Sequence, residues 1–225
     1  MRVILQLVRK ELTLLGRAKA VMFGVFLFAL VLAVMGSLAL RIIGMGIEEQ
    51  MQIASGMIWL LFFFTAVLIF NHSVATERET GALWGVLFAK VDPAILFLSK
   101  VITSLIVLLV AHAIGVCSFS LLFEGGLYRH LLQLEGIALL AGIGFVPLGV
   151  FLGTLAAALP SKELMMPLLL YPLSVPILLG AVGLTRDLLV AGTISFLSPA
   201  AVCLVVAGVI FGTLGCVLFE YVLCE

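Results

Sequence analysis

Charged residues in this chain fall in short clusters separated by six long uncharged stretches, at positions 20–40, 50–76, 101–123, 136–161, 164–185 and 188–219. Each is long enough for a helix to cross the ~30 Å hydrocarbon core of a bilayer, which takes about 20 apolar residues. A charge at the bilayer centre costs about 2.5–3.5 kcal/mol on insertion scales, so the gaps read as the spanning parts. The uncharged stretches at 80–89 and 93–99 are too short to cross. The last long gap exceeds one span, and Gly192, Ser195, Ser198 and Pro199 interrupt it. Proline favours the first turn of a helix, so the sixth span is placed from Pro199. Residues 188–198 are then expected as a short re-entrant or interfacial segment, which needs protein or water to satisfy its backbone.

The pattern therefore predicts an all-α integral membrane protein with six spans, at about 20–40, 53–72, 101–123, 136–159, 164–184 and 199–220. With the N-terminus inside, nine Lys and Arg fall on the cytoplasmic side and three, Arg41, Arg129 and Arg186, on the other. That asymmetry predicts an N-in, C-in orientation. Ahead of the first span, Leu5, Val8, Leu12 and Leu15 share one helical face while Arg2, Arg9, Lys10 and Arg17 fall elsewhere. This is the pattern of an amphipathic helix lying along the inner leaflet. Its reading is either an anchor or an elbow that passes on motion from a cytosolic partner. The organisation is thus an interfacial helix over 1–19 and a spanning domain over 20–225, with a cytoplasmic segment at 73–93.

Composition agrees: 64% of residues are hydrophobic and 11% charged, against about a quarter charged in soluble proteins. Twelve basic and twelve acidic side chains cancel, leaving no global field for nucleic-acid phosphates, so nucleic acid is set aside as a partner. Arg9, Lys10 and Glu11 break the first apolar stretch before a signal-peptide core forms, and no cleaved signal is expected. Cys117, Cys203, Cys216 and Cys224 make no CxxC pair and read as small packing or lipid-facing residues.

The stretch from His72 to Lys100 is the longest expected to stay outside the bilayer. Its charged part, Glu77-Arg-Glu-Thr-Gly81, runs into an apolar turn, Ala82-Leu-Trp-Gly-Val-Leu-Phe-Ala89. One exposed apolar turn needs a cover, either the headgroup layer, which Trp84 suits, or a groove on another protein. Within the spans, His112 is the one ionisable residue expected at mid-depth. Such a residue points to function unless it faces the bundle. A neutral His bonded to a neighbouring helix is one reading, and a ligand or proton role the other. Small residues one turn apart, Gly149, Gly153 and Ala157, then Gly208, Gly212 and Cys216, suit close helix contact within the chain or with a second copy. The fifth span holds Pro167, Pro172 and Pro176, which remove backbone hydrogen bonds and predict a bend or break, a harmless kink or a hinge.

Enzyme signatures do not occur. There is no GxxxxGK phosphate loop, HExxH, GxSxG or DxDxDG, and no acid/base pair at helical spacing inside a span. Any ATP that drives this protein is bound by another chain.

Several segments together resemble one family. A basic Arg9-Lys-Glu-Leu12 run precedes six spans, Gly56-Met-Ile-Trp59 opens the second span, and Glu77-Arg-Glu-Thr-Gly81 follows it. Pro93 leads to Lys100-Val101 in the third, and Leu170-Tyr-Pro-Leu-Ser-Val-Pro176 fills the fifth. The order resembles an ABC-exporter permease, and over essentially the whole chain it resembles the CcmB family, the haem-exporter membrane subunit of cytochrome c maturation. Trp84 and the ending Phe88-Ala-Lys90 depart from the acidic, Pro-terminated turn common there.

The resemblance implies a non-catalytic permease subunit of the cell inner membrane. Its 73–93 segment would dock on a separate ABC ATPase through Glu77, Arg78, Glu79 and Gly81, with Leu83, Trp84 and Leu87 in the apolar turn. Pro172 and Pro176 would form the flexible element, with His112 a pathway or hinge candidate. Two ATPase copies are expected, because such ATPases work in pairs, and a second copy of this chain with them. A haem-handling membrane subunit, a small accessory membrane subunit and a haem chaperone complete the implied partners. No cofactor or metal is expected on this chain itself: ATP acts through the partner, and haem is handled by the complex. The competing readings are an ABC permease for a lipid, glycan or drug, and a membrane scaffold with no ATPase.

Overall fold

The structure, a computed structural model, describes residues 2–17, 19–43, 46–80, 92–123, 126–157, 162–193 and 198–224. Among these, seven α-helices run in chain order: α1 Arg2–Arg17, α2 Lys19–Ile43, α3 Ile47–Thr80, α4 Pro93–Leu122, α5 Leu131–Ala157, α6 Lys162–Ala191 and α7 Pro199–Cys224. A 3-10 turn, Leu127–His130, leads into α5. Six of the helices are long and apolar enough to cross a membrane. A helix bonds every internal peptide group within itself, and lipid offers no other partner.

α5 and α3 form the middle of the bundle: 72% and 67% of their apolar windows are buried, against 28% for α7 and 33% for α2. α5 packs against α7, α6, α4 and α3, while α2 lies on α4 and α3. The outer helices are amphipathic in a sense suited to lipid, with small residues inward and large ones outward. In α2, Ala29, Ala33 and Ser37 are fully buried one turn apart, whereas Phe23, Leu27, Met35 and Ile42 are exposed. In α7, Ala201, Leu204 and Ala207 face in, and Val202, Val205, Val209 and Leu214 face out. Without a hydrophobic force between helices in lipid, small residues gain contact by letting backbones approach. Gly149 abuts the Phe70 ring, leaving no room there for a side chain. Of the residues expected to serve contact, Gly149 and Gly208 pack within the chain, while the space beside Gly212 is open. Cys117, Cys203 and Cys216 are free, the first and last exposed.

Aromatic rings tie the centre together. Phe145 of α5 is fully buried and meets Phe62, Phe63 and Phe70 of α3 at centroid distances of 5.5, 6.1 and 6.0 Å. Such pairs add about 0.5–1.5 kcal/mol beyond their burial. Phe97 of α4 meets Phe219 of α7 at 5.0 Å, at the end of the bundle where α4 begins and α7 ends.

The helix limits differ from the charge gaps in instructive places. α3 continues through the charged 73–80 region as helix. α4 starts at Pro93, capped by the Asp92 carboxylate, which accepts from the Ala94 amide at 2.9 Å. Lys100 therefore lies inside a helix, 4% exposed. α6 likewise runs past the exposed Arg186 and Asp187, so residues 188–191 are its last turn and not the start of a separate segment. It stops at Gly192, which has φ +69° and donates its amide to the Leu188 carbonyl at 3.0 Å. That left-handed conformation suits a glycine after a helix end. α6 is also continuous through Pro167, Pro172 and Pro176, without the break that proline spacing allowed.

α1 packs mainly on α4. Val8 is buried and Leu12 is packed against the core, while Leu5 on the expected apolar face is exposed.

Candidate functional site

The segment singled out for docking divides at the edge of the described residues. Glu77, Arg78 and Glu79 lie in the last turns of α3; Gly81, Leu83, Trp84 and Leu87 lie outside the described residues. The apolar span within α3 ends at Asn71 and the helix at Thr80. At 1.5 Å rise per residue the helix projects about 13 Å beyond the apolar stretch. The projection and the start of α4 stand at the same end of the bundle, because α3 and α4 are consecutive antiparallel helices.

His112 sits about two-thirds of the way along α4, fully buried. Its Nδ1 lies 2.9 Å from the Glu135 Oε1 of α5. It is thus bonded to a neighbouring helix. Its Nε2 is buried and has no hydrogen-bond partner among the described residues. Around it stand Trp59, with ring centroids 5.9 Å apart, and Phe62, edge-on at 5.5 Å. The Trp59 indole N–H donates to the Thr185 hydroxyl of α6 at 2.8 Å. Four helices thus converge on one polar and aromatic cluster, buried except for the Glu135 carboxylate, whose side chain is 27% exposed.

Sequence reasoning found His112 but not Glu135, which closes a charge gap and so looks like a span boundary. Trp59 was noted only as part of a motif, and Thr185 not at all. Pairing across helices leaves no spacing signal in a sequence. Pro172 and Pro176 lie on α6, between its Lys162 end and Thr185, and are not brought into contact with His112 by any described interaction.

Lys100, which the sequence offered only as part of a motif, is also buried within the bundle. It lies near the start of α4, where α1 crosses, and Glu11 and Lys10 of α1 act on it electrostatically with opposite sign. Among the described residues no group of three or more His, Cys, Asp or Glu is placed to hold a metal ion.

Six long apolar helices packed in one bundle, with a polar and aromatic cluster between them and a helical arm projecting past the apolar span, define a multi-pass helical membrane protein. The family model described as CcmB protein matches residues 2–222, nearly the whole chain. The chain belongs to the CcmB family, the permease subunit of the haem-exporting ABC transporter of cytochrome c maturation. Among curated proteins none matches the chain at a significant level.

Proposed function

We propose that this chain converts ATP binding and hydrolysis by a separate ABC ATPase into rearrangement of its own helices. The work drives haem export or the release of a haem-loaded chaperone on the far side of the membrane. The observation that carries the reading is the family match over residues 2–222. The helical extension of α3 to Thr80 supports it: a rigid arm continuous with a core helix transmits a push that a loose loop would absorb.

In this reading the chain lies N-in and C-in in the inner membrane, so that the arm and α1 face the cytoplasm. Glu77, Arg78, Glu79 and Gly81 dock on the ATPase, and Leu83, Trp84 and Leu87 fill a groove on it. Two ATPase copies and a second copy of this chain make up the motor unit. A haem-handling subunit, a small accessory membrane subunit and the haem chaperone act beside it. Haem ligation is left to those partners, and Pro172 and Pro176 supply the bend.

The test is co-purification of the ATPase with Glu79→Lys combined with Gly81→Pro. Loss of the ATPase from a chain that is still inserted at normal level is the expected result. Recovery at wild-type yield overturns the docking role.

A further inference from the structure

Most hydroxyl side chains in the spans satisfy themselves on their own helix. Ser37, Ser55, Ser99, Thr103, Ser120, Thr154 and Ser174 each donate to a carbonyl three or four residues back. Those bonds travel with the helix and do not resist its sliding. Trp59–Thr185 and His112–Glu135 differ, because each joins two helices. The contact between the Trp59 and His112 rings links the two bonds into one run, from α6 through α3 and α4 to α5. Among the described residues Glu135 alone hydrogen-bonds the His112 side chain, so it and the packed Trp59 and Phe62 rings fix the imidazole's orientation.

The position of this run matters as much as its bonds. α3 and α4 are the two helices that enter and leave the 81–91 segment. The cluster ties them, from Trp59 midway along the apolar span of α3 and His112 of α4, to residues toward the ends of α5 and α6 remote from the arm, Glu135 in the second turn of α5 and Thr185 six residues before the end of α6.

We propose that Thr185–Trp59–His112–Glu135 is a latch that holds α3, α4, α5 and α6 together from the middle of the bundle outward, away from the arm, and that it opens each time the subunit changes conformation. Trp59 and Glu135 are its positioning residues. The second half rests on the ATP-driven permease reading above; the first does not. An interhelical hydrogen bond within a membrane shifts an equilibrium by roughly threefold to twentyfold. Breaking one bond of the latch therefore raises the population of the open form by about that factor, provided the helices stay folded.

Opening is read by thiol labelling. Ser55 is 1% exposed and one turn from Trp59 on α3. In a chain otherwise free of cysteine and held in nanodiscs, Ser55→Cys reports access of a water-soluble maleimide to the core. Thr185→Val, which exchanges the hydroxyl for a methyl, and Glu135→Met are expected to speed labelling roughly threefold to twentyfold. Glu135→Gln keeps an acceptor for the imidazole N–H and is expected to label like the parent. In the complex with the ATPase subunit, the first two variants are expected to raise cargo-independent ATP turnover and Glu135→Gln to leave it unchanged. Equal labelling in all the chains overturns the latch. Faster labelling with unchanged turnover overturns its opening during the cycle. If the parent chain assembles with no ATPase, the permease reading fails, and labelling still decides the latch.

Discussion

Gly144 of α5 and Gly208 of α7 pass so close that a β-carbon on Gly144 would stand 3.0 Å from the Gly208 amide nitrogen and 3.2 Å from its Cα. The obstacle is backbone, which cannot rotate aside. α5 and α7 share an extensive interface in the bundle, and this crossing sets how close they come.

Gly144→Leu is therefore expected to force the two helices apart, at a cost of about 1–3 kcal/mol or more, as overpacking of a tight core does. Gly212→Leu, on the same α7 helix but beside open space, is the control expected to fold normally. Folded yield and thermal unfolding in detergent compare the two. Equal stability of the pair would show that α7 adjusts its position freely.

Trp59→Phe keeps most of the ring packing and removes the N–H that Thr185 accepts. The expected loss is about 0.6–1.7 kcal/mol, the range for interhelical hydrogen bonds in membranes. Combined with Glu135→Met, the two losses should depart from additivity by about 0.5 kcal/mol or more, since the Trp59 and His112 rings touch. A double-mutant cycle of unfolding midpoints measures it; simple addition would mean that the two bonds act separately.

Lys100 is buried within α4, where Glu11 of α1 attracts it more strongly than Lys10 repels it. Lys100→Met preserves the apolar stem and removes that attraction, leaving α1 held by Val8 and Leu12. Trypsin is expected to cut at Arg17 and Lys19 severalfold faster while the spanning helices remain protected. Unchanged cleavage would assign α1 docking to the apolar contacts alone.

Pro172 and Pro176 deprive α6 of two backbone donors in mid-helix. Pro172→Ala with Pro176→Ala restores them, so the chain should unfold at higher temperature. If these prolines supply the bend, cytochrome c maturation falls in the same variant. Higher stability with full maturation would remove them from the mechanism.

Much of this arrangement is legible in the chain before any folding. Charge gaps locate six spans because the cost of a buried charge acts on each segment by itself. The gaps misplace the ends for a related reason. Lys100, Arg186 and Asp187 sit within helices, near their termini, where an exposed side chain reaches out or a neighbouring helix answers the charge. His112 stood out as an ionisable group at depth. Glu135 did not, being 23 residues away on another helix.

The order of residues alone is enough to make this chain a set of apolar spanning helices behind an amphipathic N-terminal one, since lipid demands internal backbone bonding and a run of about 20 apolar residues suffices. Its motifs also pointed to the family before the match over residues 2–222 showed it. Folding in three dimensions was needed to fix which helices lie at the centre, that Gly208 rather than Gly212 of α7 meets α5, and that Trp59 reaches Thr185 across 126 residues. Insertion is a property of one segment in lipid. Partner choice depends on pairs of surfaces, and in a medium as apolar as the side chains themselves only shape and a few polar bonds can make it.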